Sequence, residues 1–517
     1  MDKKKKFKCM MMIWLILFVI ALVRKTLQND TFYTIKIGEL ILNNGIDMMD
    51  HFSFHIGLPY TYPHWLYDLF IYMIYKFFGY TGIYISSMIL LYILLLVVFK
   101  VNIKNTQNYS VSAFGTFLCA LAISGFVTAR AQLVSFILFA CEIYFIESFL
   151  RNGKKRYLIG LLLISLILCN IHVAVWPFYY ILYLPYLAEY IISFICHRIK
   201  FKKENKFINF LKKKVILEEN KNIKYLFLTM VGSLLTGLIT PIGLTPYTYF
   251  IKTAMGNSQK YIQEHQMIGW KESPFTIIIA AETIFFVIFN KSKLRDIFMI
   301  CGLVFMSVMS IRHMALLALI GTICFARIFG IFIHDYLPQS DNKIVSFFNK
   351  KIVTISSFCI AIIFMGIMLN YNMKKEYIDH EMYPVKAVEY IKENIDISKM
   401  RLYNEYNYGS YLILNDIPVF IDSRADLYTK EFSGLDYDIL DDSQFINANY
   451  QNKFEFYGIT HAIVYKKENI MYDTLRSDVN YELIYDDDDF ALFKKLGTPT
   501  AIVSYSDGKN MVAKYKN

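Results

Sequence analysis

Long apolar runs with almost no charge alternate with short basic segments along residues 1–371. Examples are Met10–Val23, Ile83–Phe99, Leu158–Leu168 and Ile352–Leu369. About 20 predominantly apolar residues suffice for a transmembrane helix, because about 30 Å of hydrocarbon is crossed at about 1.5 Å per residue. The pattern therefore predicts an α-helical polytopic membrane protein.

About eleven transmembrane helices are predicted in this way. They run near residues 9–24, 81–100, 110–128, 131–150, 157–171, 173–196, 223–241, 274–290, 294–311, 313–334 and 352–370.

The short basic loops set the orientation, because loops rich in lysine and arginine stay in the cytoplasm. One membrane topology keeps all of these loops in the cytoplasm. It places the N-terminus in the cytoplasm and the C-terminal region outside. The first apolar run follows Met1–Lys8, which holds five lysines, and it lacks a small-residue cleavage site. It is therefore interpreted as a retained signal anchor.

Two long loops lie outside in this topology, at residues 25–80 and 241–273. In the first, apolar residues from Tyr33 to Ile41 recur on one face of a predicted amphipathic helix that ends near Gly45. The later part, Pro63–Gly79, is predicted to lie at the membrane interface, because a full span there would place Arg151–Arg156 outside.

The pattern of apolar and polar residues changes after Asn370. Residues 372–517 are predicted to form a soluble extracytoplasmic α/β domain, separate from the transmembrane domain 1–371. Its predicted elements are a helix at Val385–Glu393 and strands at Tyr411–Leu414, Val419–Ile421, Ala462–Tyr465 and Glu482–Tyr485.

Charge and cysteine usage exclude several classes of protein. Residues 372–517 carry 17 basic and 25 acidic side chains, whereas residues 1–371 carry 37 and 18. The excess of basic residues thus belongs to membrane loops and does not indicate nucleic-acid binding. All eight cysteines fall in or beside apolar runs, and no CxxC pair occurs, which argues against a disulfide framework or a zinc site.

Several polar residues converge on the outer face in the predicted topology. Burying charge in a membrane is costly, so such residues are candidates for function. Carboxylates, imidazoles and guanidiniums facing one cavity suit the binding of an anionic head group and proton transfer. The acidic candidates are Asp30, Asp50 and Glu264, and the substrate-binding candidates are Arg130, Asn170, His172, Arg312 and His313.

Each candidate also has a structural interpretation. Asp30 is placed to cap a helix that begins at Thr31, and Asp50 to serve only a turn. Arg130 and Arg312 suit interfacial anchors. His172 suits a satisfied buried histidine, and Glu264 a solvated loop.

The chain resembles a family in several short patches. In the first outer loop these are Asn29–Tyr33, Asp50–Phe54, Gly57–Tyr60 and His64–Leu66. Further patches are Arg130–Gln132, Asn170–His172, Thr240–Gly243, Ile262–His265, Arg312–His313, Tyr406–Ile413 and Val419–Arg424. Together they resemble the GT-C glycosyltransferase superfamily, the group of protein mannosyltransferases and lipid A aminoarabinose transferases. Two positions depart from the family pattern, where His265 replaces a tryptophan and His64 an acidic residue.

The resemblance implies a membrane glycosyltransferase whose donor is a polyprenyl-phosphate-linked sugar. The acceptor would be an extracytoplasmic glycan, lipid or protein. Asp30 matches the family's acidic residue, which acts as a base or as the ligand of a divalent metal ion; no cofactor follows from the residues themselves. The alternatives are a lipid-linked glycan flippase or other transporter, and a non-catalytic membrane scaffold.

Overall fold

The computed structural model describes residues 3–198, 214–256, 258–262, 274–467, 469–497, 501–506 and 510–515. Up to residue 373 its main helices are α1 (Lys3–Leu22), α2 (Asn29–Asn44), α3 (Trp65–Thr106), α4 (Tyr109–Ala122), α5 (Ala131–Asn152), α6 (Arg156–Ile171), α7 (Trp176–Arg198), α8 (Ile223–Ser233), α9 (Thr245–Met255), α10 (Pro274–Phe289), α11 (Leu294–Met309), α12 (Thr322–Tyr336), α13 (Ser340–Phe348) and α14 (Lys351–Met373). Each of the eleven segments predicted to cross the membrane is helical in this structure.

The chain is a membrane protein. Among the described residues, five helical segments are long and apolar enough to cross a bilayer. They are Trp65–Thr106, Ala131–Asn152, Val173–Arg198, Ile311–Tyr336 and Lys351–Met373. The total of eleven spans and the sidedness of the termini stay predictions.

Two compact units make up the chain. Unit 1 comprises Met1–Arg24, Tyr84–Thr240 and Gln263–Lys375, and unit 2 comprises Lys25–Ile83, Pro241–Ile262 and Glu376–Asn517. The boundary near residue 83 falls inside α3, whose helical geometry is interrupted at Gly79 (φ 60°, ψ −155°). The predicted division of the chain at residue 371 stays a prediction.

Unit 1 is a helical bundle. The Trp14 indole N–H donates to Ser357 Oγ at 2.7 Å, which joins α1 to α14. The helices α4 and α12 pack closely at Gly115, where a Cβ would lie 2.7 Å from Ala326 Cβ. A two-residue parallel pair, β1 (Val215–Ile216) with β2 (Ser292–Lys293), completes the unit.

Unit 2 combines the predicted first outer loop with the C-terminal region. Its later elements are α15 (Val385–Asn394), β3 (Leu402–Tyr403), α16 (Gly409–Leu414), α17 (Ile439–Phe445), α18 (Tyr450–Phe456), β4 (His461–Tyr465), α19 (Ile470–Ser477), β5 (Tyr481–Asp486), β6 (Phe490–Lys495), β7 (Ala501–Ser506) and β8 (Asn510–Tyr515). One sheet has the order β3-β4-β6-β5, parallel between β3 and β4 and antiparallel elsewhere, and β7 pairs with β8.

The predictions for unit 2 are confirmed in part. The α15 helix and the strands β4 and β5 are present as predicted, and α2 ends at Asn44, with Gly45 (φ 82°) as its C-cap residue. Tyr411–Leu414 is helical instead of extended, so that prediction is wrong. Gly409 begins this helix against the backbone of Ile421, where a Cβ would lie only 2.1 Å from the Ile421 carbonyl oxygen.

The helix α2 is held by residues far along the chain. The Phe32 ring lies against Tyr383 and Tyr411, with centroids 4.9 and 5.3 Å apart. The Asn29 side-chain amide donates to the Tyr406 carbonyl at 3.0 Å. Residues 25–83 and 376–517 therefore share one apolar core.

Candidate functional site

Five of the predicted site residues lie at helix ends within unit 1; Arg130, Asn170, His172, Arg312 and His313 are called the turn cluster below. Arg130 is the residue before α5 and has extended backbone (φ −126°, ψ 159°). His172 Nδ1 lies 3.0 Å from the hydroxyl of Ser135, which is on the second turn of α5. This contact brings the end of α6 to the start of α5.

Three further contacts extend the turn cluster. The buried Asn170 amide donates to the Ile239 carbonyl at 3.1 Å, just beyond α8. His313 Nδ1 lies 2.9 Å from the Met306 carbonyl, and the His313 ring stacks edge-on against Phe178 with centroids 5.2 Å apart. The turns that carry the five residues are thus connected through unit 1, while their roles in binding stay predictions.

Asp30 belongs to unit 2, in the first turn of α2. The helix begins at Asn29 and its N-cap residue is Gln28. The structural interpretation of Asp30 as the cap of a helix starting at Thr31 is therefore wrong. Asp30 is half-buried, and its negative charge at a helix N-terminus interacts favourably with the helix dipole.

Asp50, also in unit 2, is buried in an ion cluster. Its carboxylate accepts from Arg424 Nη1 at 2.6 Å and from the backbone N–H of Ser53 at 3.0 Å. Burial alone would raise the pKa of this carboxyl, but Arg424 and Ser53 outweigh it and hold the pKa below its usual value. Such a carboxylate is poorly placed to take up a proton.

Arg424 completes this cluster. Its Nε and Nη2 donate to the two oxygens of Asp422, each at 2.8 Å, and the Tyr428 hydroxyl also donates to Asp422. This is the bidentate geometry of a strong arginine–carboxylate pair. The cluster fixes residues 50–53 against residues 422–428.

Glu264, the third acidic candidate, lies outside the described residues. Among the described residues, no group of three or more His, Cys, Asp or Glu side chains has the arrangement to hold a metal ion.

A second group of charges within unit 1 was not predicted from the sequence. Arg295 Nη1 lies 2.7 Å from Glu189, and Arg327 Nη2 lies 2.6 Å from Glu147, whose carboxylate also binds Arg295 at 3.2 Å. Asp296 pairs with Arg327 at 2.8 Å. These buried pairs join α5, α7, α11 and α12. The signal in the sequence is the charge inside apolar helices, which by itself does not reveal which residues pair.

His64, one of the departures from the family pattern, has an acidic partner after all. Its Nδ1 lies 3.0 Å from Asp68 Oδ1, one turn further along α3. Its Nε2 lies 3.3 Å from the Tyr33 hydroxyl on α2. The spacing of four residues between His64 and Asp68 is the sequence signal for this contact.

Comparison with known proteins gave no matching family model. No curated protein matches the sequence. The chain is similar to the solved structure of ArnT from Cupriavidus metallidurans in the apo state, with a TM-score of 0.49 and 11% sequence identity, over 93% of this chain and 96% of that chain. A likeness of this extent assigns no function.

Proposed function

We propose that the protein is a membrane glycosyltransferase that moves a sugar from a polyprenyl-phosphate donor to an extracytoplasmic acceptor. The turn cluster is the observation that supports this proposal most strongly. Two guanidiniums and two imidazoles on connected turns of a membrane protein suit a phosphate at the end of a lipid chain.

In this proposal Arg130 and Arg312 bind the phosphate of the donor. Both are half-buried at helix ends, where a charge-assisted hydrogen bond to phosphate is worth about 1.5–3 kcal/mol. His172 supports them, since its Nδ1 is fixed by Ser135 and its ring orientation is thereby set. Positioning and stabilisation of the leaving phosphate would supply most of the rate enhancement.

We assign the role of proton acceptor to Asp30, because of the resemblance and because of its half-buried position. The acceptor hydroxyl oxygen attacks the anomeric carbon and forms the new glycosidic bond. The bond from that carbon to the phosphate oxygen breaks, and its electron pair leaves with the polyprenyl phosphate. The hydroxyl proton passes to the Asp30 carboxylate. Attack opposite to the leaving group inverts the anomeric configuration.

The test is a transfer assay on the full chain in lipid nanodiscs with a panel of polyprenyl-phosphate sugars and an extract of envelope acceptors. We expect wild-type protein to release polyprenyl phosphate from at least one donor. Arg130→Gln should weaken use of that donor, whereas Arg151→Gln, which removes an exposed arginine at the end of α5, should not. Folded protein that consumes no donor on the panel would contradict the proposal.

The same preparation distinguishes the transporter alternative. In sealed proteoliposomes a flippase would move a lipid-linked sugar between leaflets with its phosphate bond intact. Leaflet exchange without release of polyprenyl phosphate would therefore reject glycosyl transfer in favour of transport. If neither transfer nor transport occurs, the interpretation as a non-catalytic scaffold remains.

A further inference from the structure

The helices α2 and α3 approach each other closely within unit 2. A Cβ on Gly38 would lie 2.2 Å from the Asp68 carbonyl oxygen and 2.5 Å from Tyr72 Cβ. Only glycine allows this approach without a shift of one helix. The contact holds the first turns of α3 against α2.

Asp68, His64 and Tyr33 form a hydrogen-bonded chain at this crossing. The Asp68 side chain is 0% exposed and the His64 side chain is 16% exposed. The chain thus runs from a fully buried carboxylate to a partly exposed imidazole and on to the Tyr33 hydroxyl, at 3.0 and 3.3 Å.

The acceptor character of Asp68 sets the protonation of His64. When Asp68 is ionised it can only accept, so a neutral His64 then carries its proton on Nδ1 and leaves the Nε2 lone pair toward Tyr33. Holding one tautomer by a buried acid is the role of the aspartate in a serine protease triad. Arg424 interacts electrostatically with Asp68 and with Tyr60.

A matched pair of the same type occurs in the same segment of the chain. His51 and Asp47 are also four residues apart, with Nε2 2.6 Å from the carboxylate. Their side chains are 44% and 51% exposed. This pair is exposed to solvent, whereas Asp68 is fully buried and its charge is stabilised in part by His64.

We propose that His64, oriented by Asp68, accepts the proton that Asp30 has taken up after each transfer, and that the Tyr33 hydroxyl relays this proton. This inference rests on the proposed function. Asp30 and Tyr33 are three residues apart on α2 and so share one helix face. The proton on the Asp30 carboxyl passes to the Tyr33 oxygen while the phenolic proton passes to His64 Nε2, which restores the Asp30 carboxylate and leaves an imidazolium beside Asp68. His64 then loses this proton to water.

The first test is independent of catalysis. Nitrogen-15 NMR of histidine-labelled full-length protein in nanodiscs reports which ring nitrogen carries the proton, and His64→Gln identifies the resonance. We expect the Nδ1–H tautomer in wild type and its loss in Asp68→Asn. An Nε2–H tautomer in wild type would overturn the relay whether or not the protein transfers sugar.

The second test uses transfer rate. We expect His64→Ala to slow transfer by about 10²-fold, the low end for loss of a positioned proton-transfer group, and added imidazole to restore part of the rate. Tyr33→Phe should slow transfer without rescue, and His51→Ala should leave it unchanged. Wild-type rates in folded His64→Ala, or a loss that imidazole does not restore, would overturn the relay. A wild-type protein that consumes no donor would instead reject the proposed function.

Discussion

Asp30 and Asp50 lie only twenty residues apart in the same segment of unit 2, yet their surroundings differ. Asp50 is buried, and its carboxylate is occupied by Arg424 and by Ser53. Asp30 is half-buried in the first turn of α2. Asp50 is therefore interpreted as a structural charge, whereas Asp30 stays a candidate for the reaction.

The arginines of unit 1 divide in the same way. Arg295 and Arg327 are buried among Glu147, Glu189 and Asp296. Arg130 and Arg312, in contrast, are half-buried at helix ends. Buried ion pairs thus account for Arg295 and Arg327, whereas Arg130 and Arg312 stay candidates for substrate binding.

The largest effect on stability is expected for Arg424→Gln. The substitution leaves Asp50 and Asp422 buried without their cation, and breaking a buried ion pair in this way typically costs about 3–5 kcal/mol. Hydrogen exchange of the backbone amides in β4 and β6 should accelerate accordingly. Arg476→Gln removes an exposed arginine from the same unit and should change exchange very little. Equal changes in hydrogen exchange for the two variants would show that the buried arginine stabilises the unit no more than the exposed one.

Acidification should also weaken unit 2, through His55. Its Nε2 lies 2.8 Å from the Phe420 carbonyl, and burial lowers the pKa of His55 to about 4. The unfolded chain binds a proton near pH 6.5, so stability is lost as the pH falls from about 6.5 to 4. The loss is about 3 kcal/mol for His55 alone.

The measurement is hydrogen exchange of unit 2 at several pH values, with His55→Gln as the control. Glutamine can still donate to the Phe420 carbonyl but does not titrate in this range. We expect the variant to lose much of the pH dependence and to retain a part from His461, whose pKa burial also lowers to about 4. An identical dependence in wild type and variant would show that His55 is not the cause.

A smaller effect, on binding instead of stability, is expected for Arg130→Gln. Loss of one charge-assisted contact to phosphate costs about 1.5–3 kcal/mol, so donor affinity should fall about 10-fold to 150-fold. Binding of a non-transferable donor analogue, measured beside Arg151→Gln, reports this directly. An unchanged affinity for the donor analogue would show that Arg130 does not bind the phosphate.

The smallest effect is expected for Gly38→Ala. The added methyl group meets the Asp68 backbone, and overpacking of this kind costs about 1–3 kcal/mol. Gly366→Ala in α14 is the control, since a Cβ there meets no atom within 4 Å. Thermal inactivation of the two variants should differ, and identical curves would show that α2 and α3 tolerate a wider separation.

Local sequence patterns predicted the helices well and the pairing of charges poorly. Apolar runs and charged ends located the segments around α5 and α14, because a hydrophobic segment of sufficient length is a local property. The run Tyr411–Leu414 was misassigned, since four apolar residues suit a strand or a helix equally. The contact between Asp50 and Arg424 spans 374 residues, and nothing in the local sequence of either residue indicates the other.

We propose that Asp30 takes part in the reaction, whereas Asp50 stabilises the fold. The deciding measurement is the transfer rate per folded molecule of Asp30→Asn and Asp50→Asn beside wild type, with the folded fraction measured in parallel. We predict that Asp30→Asn folds normally and loses at least about 10²-fold in rate, the low end for a positioned base. Asp50→Asn should mainly reduce the folded fraction. A folded Asp30→Asn protein that transfers sugar at the wild-type rate would contradict the account.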